Sequence, residues 1–316
     1  MSRRFAFNAI RSIGDKSMRQ SSIHKIIVCL LGVLVAAPVS AAKIKHQTTL
    51  YADGANLALK LPEGVACNDK SIVVADTANN RLVRYALTAQ SLTPEAVFPL
   101  PEMVPLTLQT TTAGDIYLLN GKTREIVKVG RSGEVQGKVE PKGLPAPSAF
   151  VPRSFKLDSA GNIYLLDILS ERVLVLDPSA SYVRHLPFPE GYGFFSDLAL
   201  SPQGGIYLLD SVAGALYLAA PDAQSFALLN GDLKEYVNFA TSLASDGRGD
   251  LYLVDQYGSG LAVVGGDGSF KGRKFGMGWE DGQFFYPAQI CINEQGTLVV
   301  ADRNNNRVQV FNILED

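Results

Sequence analysis

Short apolar runs of four to six residues, rich in β-branched and aromatic side chains, recur along most of the chain between clusters of Gly, Asn, Asp and Pro. Runs of that length and composition, bounded by turn residues, predict β-strands. Six of them are copies of one unit: Ile72-Val73-Val74-Ala75-Asp76, Ile116-Tyr117-Leu118-Leu119-Asn120, Ile163-Tyr164-Leu165-Leu166-Asp167, Ile206-Tyr207-Leu208-Leu209-Asp210, Leu251-Tyr252-Leu253-Val254-Asp255 and Leu298-Val299-Val300-Ala301-Asp302. Their closing Asp or Asn positions are spaced 44, 47, 43, 45 and 47 residues apart. Before each copy come a turn, often with Gly, and a short run such as Ser154-Phe155-Lys156-Leu157 or Gln289-Ile290-Cys291-Ile292. After each comes another, such as Arg172-Val173-Leu174-Val175-Leu176. The pattern predicts a meander of antiparallel strands.

A repeat of this length with about four strands is one blade of a β-propeller, because a small twisted sheet cannot bury both faces alone and stacks radially on its neighbours. Six repeats predict an all-β, six-bladed propeller. The last copy ends soon after its third strand, while Ile44 to Tyr51 precedes the first copy and has no repeat of its own. This N-terminal segment is expected to supply the outer strand of the last blade and close the ring. The Pro-rich piece Pro141 to Pro147 fits between the second and third blades and does not mark a domain boundary.

From Lys25 the chain runs Ile-Ile-Val-Cys-Leu-Leu-Gly-Val-Leu-Val-Ala-Ala, then Pro38-Val39-Ser40-Ala41. A basic stretch, about a dozen apolar residues and small residues at the cleavage positions make an export signal, too short for a membrane span. Residues 1–41 are read as this signal, with Met18 a candidate true start, and residues 42–316 as a single propeller domain. Cys29 follows Val28 and does not look like a lipid acceptor. The chain has 29 basic and 31 acidic residues, of which residues 1–41 hold six and one, leaving 23 and 30. A surface this acidic disfavours nucleic acid. The expectation is an exported monomer, periplasmic or fully secreted, with no membrane span in the mature chain and a protein partner in the periplasm or cell envelope.

Gly282-Gln283-Phe284-Phe285-Tyr286-Pro287 through Val300-Ala301-Asp302-Arg303-Asn304-Asn305-Asn306-Arg307-Val308-Gln309-Val310-Phe311 resembles a full NHL repeat, and Asp76-Thr77-Ala78-Asn79-Asn80-Arg81 matches its core. The middle repeats are degenerate: Asn120 replaces the Asp, and Ala215 and Gly260 stand where the Arg would be. Asp and Asn in strand-to-strand turns accept N–H groups, and Asn tolerates positive φ. The motif residues Asp76, Arg81, Asn120, Asp167, Arg172, Asp210, Asp255, Asp302 and Arg307 are therefore read as structural, with Arg81, Arg124, Arg172 and Arg307 pairing with carboxylates or carbonyls. Tyr117, Tyr164, Tyr207 and Tyr252 are read as packing between blades.

Catalysis can be tested against residue counts. The amidating lyases resemble NHL propellers and hold zinc through several His near the axis, but residues 42–316 contain only His46 and His185. Three-His zinc binding is excluded within one chain. There is no Gly-x-Ser-x-Gly elbow. The alternative is a divalent-metal-dependent, gluconolactonase-like hydrolase, a class resembling six-bladed propellers with one cation at the axial opening. Glu63 and Asp197 would be its carboxylates and Ca or Zn its ion, but a hard cation needs about six oxygens. Thr107, Arg153, Ser154, Ser242 and Gln289 at the other inner-strand starts offer no third acid, and Arg153 is expected to pair with Glu63 or Asp197.

The favoured reading is a non-catalytic scaffold that binds a protein or ligand through the loops at the channel mouth, without a cofactor. Candidate contacts are Glu63, Arg153, Tyr192, Phe194, Phe195, Asp197, Trp279 and Tyr286, since aromatics, Arg and acids build interface centres. Phe194 or Phe195 could instead plug the channel. Cys67 and Cys291, in inner strands of the first and last blades, form a disulfide only if those strands converge near the axis, because stacked sheets lie about 10 Å apart.

Overall fold

The computed structural model describes residues 43–88 and 91–314; the expected export signal, with Met18 and Cys29, lies outside the described residues. Six four-stranded antiparallel sheets form the six blades of a propeller. Blades one to five occupy residues 64–99, 105–138, 152–187, 195–230 and 240–274, each with its strands in sequence order from the axis outward. The sixth takes three strands from residues 290–314. Its outer strand is Lys43–Leu50, which runs antiparallel to Arg307–Leu314 with Lys43 opposite Leu314 and Leu50 opposite Val308. The first described strand and the last thus close the ring, as the unpaired segment before the first repeat required.

The repeated unit is the second strand of each blade, and its apolar side chains are buried on both faces, because a neighbouring blade covers each face. The core accordingly divides by seam. Val65, Val74 and Val83 of blade one meet Val299 and Val310 of blade six in one cluster, and Val254 and Val263 of blade five meet Phe284, Val300 and Phe311 in the next. Tyr117, Tyr207 and Tyr252 are buried in the seams with the following blades, and Tyr164 packs against the cluster between blades three and four. These tyrosines serve inter-blade packing. Near the axis the inner strands come closest: a Cβ on Gly64 would overlap the carbonyl oxygen of Leu106 in blade two, so that position has no room for a side chain.

The same convergence acts at the closing seam. Cys67 and Cys291 are joined by a disulfide with their Cα atoms 6.0 Å apart. The covalent link lies on the innermost strands and the β-pairing of Lys43–Leu50 on the outermost, so the seam between blades six and one is fastened at both radii.

Candidate functional site: the axial channel mouth

The Asp that closes each repeat shapes the loops around one channel opening. Asp76 accepts the backbone N–H of Lys60 at 2.7 Å, Asn120 that of Val104 at 3.1 Å, Asp167 that of Val151 at 2.9 Å, Asp210 that of Phe194 at 3.0 Å, Asp255 that of Phe239 at 2.9 Å and Asp302 that of Phe285 at 2.8 Å. In every blade this side chain clamps the incoming loop just before the inner strand. The turn after it is also shared: the residue four places on is left-handed in all six, as Asn80, Arg124, Glu171, Gly214, Ser259 and Asn306. Asn and Gly suit that conformation.

The second carboxylate oxygen takes the repeat's Arg where there is one: Arg81 Nε at 2.6 Å, Arg172 Nε at 3.1 Å and Arg307 Nε at 2.7 Å. Blades two and five satisfy the motif differently, and Arg124 makes the kind of carbonyl contact expected of it. In blade two the position following the left-handed residue is Glu125, so Arg124 is not the repeat's Arg; it occupies the left-handed position and donates to the carbonyl of Pro152 in the next blade. In blade five Gly260 leaves a gap that Arg273 of the outer strand fills, at 2.5 Å from Asp255. Asp210 has no Arg and accepts four N–H groups, from Gly193, Phe194, Val212 and Ala213.

The clamped residue is Phe in three consecutive blades, four to six, and all three rings lie around the mouth. Phe239 stacks on Tyr257 with centroids 5.0 Å apart, Tyr257 meets Tyr286 at 5.7 Å, Tyr286 meets Phe285 at 5.3 Å, and Phe285 meets Trp279 at 6.4 Å. Tyr257 and Trp279 are 53% and 74% exposed, which leaves this arc open to solvent. At the start of blades three and four the guanidinium of Arg153 lies 5.6 Å from the ring of Phe194.

Inside the mouth is a cavity of about 170 Å³ lined by residues of all six blades, among them Glu63, Thr107, Arg153, Asp197, Phe239, Thr241 and Gln289. Its floor is a buried polar plug. Asp197 accepts hydrogen bonds from Ser154 Oγ at 2.5 Å, Ser242 Oγ at 2.9 Å and the Leu243 N–H at 2.8 Å, and faces the ammonium of Lys156 at 3.2 Å. Gln289 accepts from the N–H groups of Val65 and Leu108 and donates back to the Leu108 carbonyl, bridging blades six, one and two. Below the plug a second space of about 170 Å³ opens at the other end, walled by Lys156, Cys67 and Cys291 among others.

Several residues expected at the mouth thus acquire different roles, and Arg153 is the clearest. It pairs with neither acid: Glu63 is held by Arg303 at 2.5 Å and Asp197 by Lys156, each closer cation having claimed its carboxylate. Among the described residues the Arg153 guanidinium has no hydrogen-bond or ion-pair partner. Burial depresses its pKa although Asp197 and Glu63 act the other way. Phe195 does not face the loops; it is 1% exposed in the seam between blades three and four, against Phe188 and Tyr217. Tyr192 stacks on it at 4.9 Å, and burial, together with the hydrogen bond it donates to Glu171, pushes the phenol up to about 12. Phe195 therefore does not plug the channel. His46 and His185 sit in the outer strands of blades six and three, bonded to Thr49 and Tyr182, far from this opening in the order of the sheets.

Phe239, Tyr257, Phe285, Lys156, Thr241 and Arg303 are site residues that the sequence alone did not single out. For the two phenylalanines a signal existed: Phe194 and Phe239 lie 16 residues before the repeat Asp and Phe285 lies 17 before it. For Lys156 it was the two-residue period that puts it on the same face of its strand as Ser154.

Comparison with known proteins agrees with this architecture. Residues 284–311 match the family described as NHL repeat. Protein wech of Drosophila melanogaster is 54% identical over 35 residues, covering 11% of this chain and 4% of that protein. The B-box type zinc finger protein ncl-1 of Caenorhabditis elegans is 54% identical over 39 residues, 12% and 5% of the two chains. The likeness therefore spans about a twentieth of those relatives' length. Among solved structures, a gluconolactonase from Xanthomonas campestris is 13% identical, with 89% of this chain and 93% of that one covered at a TM-score of 0.62. A virginiamycin B lyase from Staphylococcus aureus is 12% identical, with 87% and 100% covered at 0.57. At such identities the likeness carries the fold alone. The chain is thus a six-bladed β-propeller in which residues 284–311 match the NHL repeat.

Proposed function

We propose that this propeller is a binding module without catalytic machinery, exported to the periplasm or beyond, which takes a protein partner or ligand on the aromatic rim of its channel mouth. The observation that carries the reading is the substitution of Phe into the clamped loop position of blades four, five and six. A rigid ring presenting side chains from several blades is a binding platform. Exposed aromatic rings concentrated beside an Arg are the composition of interface centres.

A lactonase-like reaction has less support, although a gluconolactonase shares the fold. Its cation would rest on Glu63 and Asp197, and the donor chemistry does not fit one. Both oxygens of Asp197 already accept hydrogen bonds, a lysine ammonium sits 3.2 Å away, and Glu63 is neutralised by Arg303. A divalent ion would have to displace two cations from a site that offers it too few oxygens. The reading is tested by comparing what the wild-type protein and a Phe239→Ala/Tyr257→Ala variant retain from their native compartment, alongside lactone hydrolysis with and without added Ca or Zn.

A further inference from the structure

Charge in the mouth cavity does not balance. Glu63 and Asp197 are each matched by a cation, Arg303 and Lys156, which leaves Arg153 as surplus. Arg124 stands close enough to Arg153 that, after burial, the second guanidinium helps depress its pKa, and Arg124 itself spends its bond on the carbonyl of Pro152, without a carboxylate. An acidic protein thus keeps a half-buried, uncompensated guanidinium at the axis of its ring. A guanidinium that faces a cavity without a protein partner is free to take an anion. The same cavity holds a second unmet polar group: the buried Oγ1 of Thr241 has no hydrogen-bond partner. Phe239 lines the cavity and Phe194, whose ring lies 5.6 Å from the guanidinium, adds apolar surface beside it.

We propose that the mouth cavity binds a carboxylate carried on a small apolar body, with Arg153 pairing the carboxylate and Phe194 and Phe239 enclosing the apolar part. The planar guanidinium fork matches a carboxylate bidentately. A carboxylate matches the one guanidinium among the described residues that lines the cavity without a partner, Arg153. The cavity, at about 170 Å³, suits a ligand smaller than the drug-sized occupants of larger pockets. Thr241 stands in the same cavity with a hydroxyl free to donate. This proposal rests on the mouth being the binding site, and it names what the innermost part of that site takes.

The test titrates phenylacetate and its uncharged analogue phenylacetamide into the purified protein by calorimetry, and repeats both with Arg153→Gln. Saturable binding of the acid is expected, with the amide and the variant each at least about tenfold weaker. Because Arg153 has no internal partner, Arg153→Gln should melt within about 3 °C of the wild type or above it. Equal binding of acid and amide, binding unchanged in Arg153→Gln, no saturable binding of the acid, or a large loss of melting temperature in the variant would each overturn the proposal. Partner retention by the Phe239→Ala/Tyr257→Ala variant is measured in parallel. If the acid fails while retention still depends on those rings, the carboxylate site falls and the binding reading stands; if neither holds, both fall.

Discussion

Asp255 accepts the backbone N–H of Phe239 at 2.9 Å, and through that bond a motif residue buried at the end of a core strand sets the position of an aromatic ring at the channel mouth. The bond recurs in every blade, so the same side chain that holds the repeat together also fixes where the loops begin. Scaffold and site share this one contact.

Removing the carboxylate should therefore cost stability most where it also neutralises a buried Arg. Arg307 is 3% exposed and Asp302 is its only carboxylate among the described residues. Asp302→Ala should lose about 3–5 kcal/mol in urea unfolding, since breaking one side of a buried pair leaves the other charge uncompensated. A loss below about 1 kcal/mol would show that the pair is not holding the blade.

The closing disulfide should matter in proportion to the chain it encloses. Cys67 and Cys291 are 224 residues apart in sequence. Replacing both by Ser is expected to lower stability by about 2–5 kcal/mol, the range for cross-links closing long loops. Denaturation midpoints with and without reductant check this, together with a thiol count of the unreduced, unfolded protein. Identical midpoints would mean that the outer strand Lys43–Leu50 closes the ring unaided.

Asp53 gives the fold a defined acid limit. Burial opposes its ionisation, but the N–H groups of Leu57 and Ala55 and the guanidinium of Arg81 outweigh this and hold the carboxyl below its usual value. A carboxylate with a depressed folded pKa contributes stability that is present above the unfolded value, about 3.9, and lost as the pH falls through the folded one. The melting temperature should fall as the pH is taken from 5 to about 3, less steeply in Asp53→Asn. Parallel curves for the two proteins would remove Asp53 from the account.

Trp279 separates binding from folding. It is 74% exposed, and its ring lies 6.4 Å from that of Phe285 at the end of the arc. Trp279→Ala should change stability by no more than about 0.5 kcal/mol, while weakening whatever docks on the arc. A larger loss in thermal unfolding would make the ring part of the blade.

The fold was legible because its signal is repetitive: six strand units, regular spacing, and one leftover segment for one missing strand. The site was legible only in part, for physical reasons. Glu63, Arg153 and Asp197 reach the mouth through their position at the inner-strand starts, yet the partners of Glu63 and Asp197 come from other blades and Arg153 is left without one among the described residues. Arg303 lies 240 residues from Glu63, and Lys156 lies 41 residues from Asp197. Pairing across a ring depends on which side chain reaches first, and no local pattern encodes that. Phe194 and Phe195 look alike in the sequence, but the strand begins at Phe195, which turns Phe194 outward and Phe195 into the seam. Gly260 stands where the repeat's Arg would be in blade five, and Arg273, on a different strand of the same blade, supplies the guanidinium.

If the aromatic arc is the working surface of the propeller, its loss must strip the protein of what it holds in the cell. Wild-type protein and the Phe239→Ala/Tyr257→Ala variant, each expressed at natural level in their own cells, would be captured and their retained partners compared by quantitative mass spectrometry. A stoichiometric partner is predicted on the wild type, reduced at least about tenfold on a variant whose melting temperature is preserved. Equal retention by both proteins, or a wild-type chain that comes out alone and hydrolyses a lactone when given a divalent ion, would contradict it.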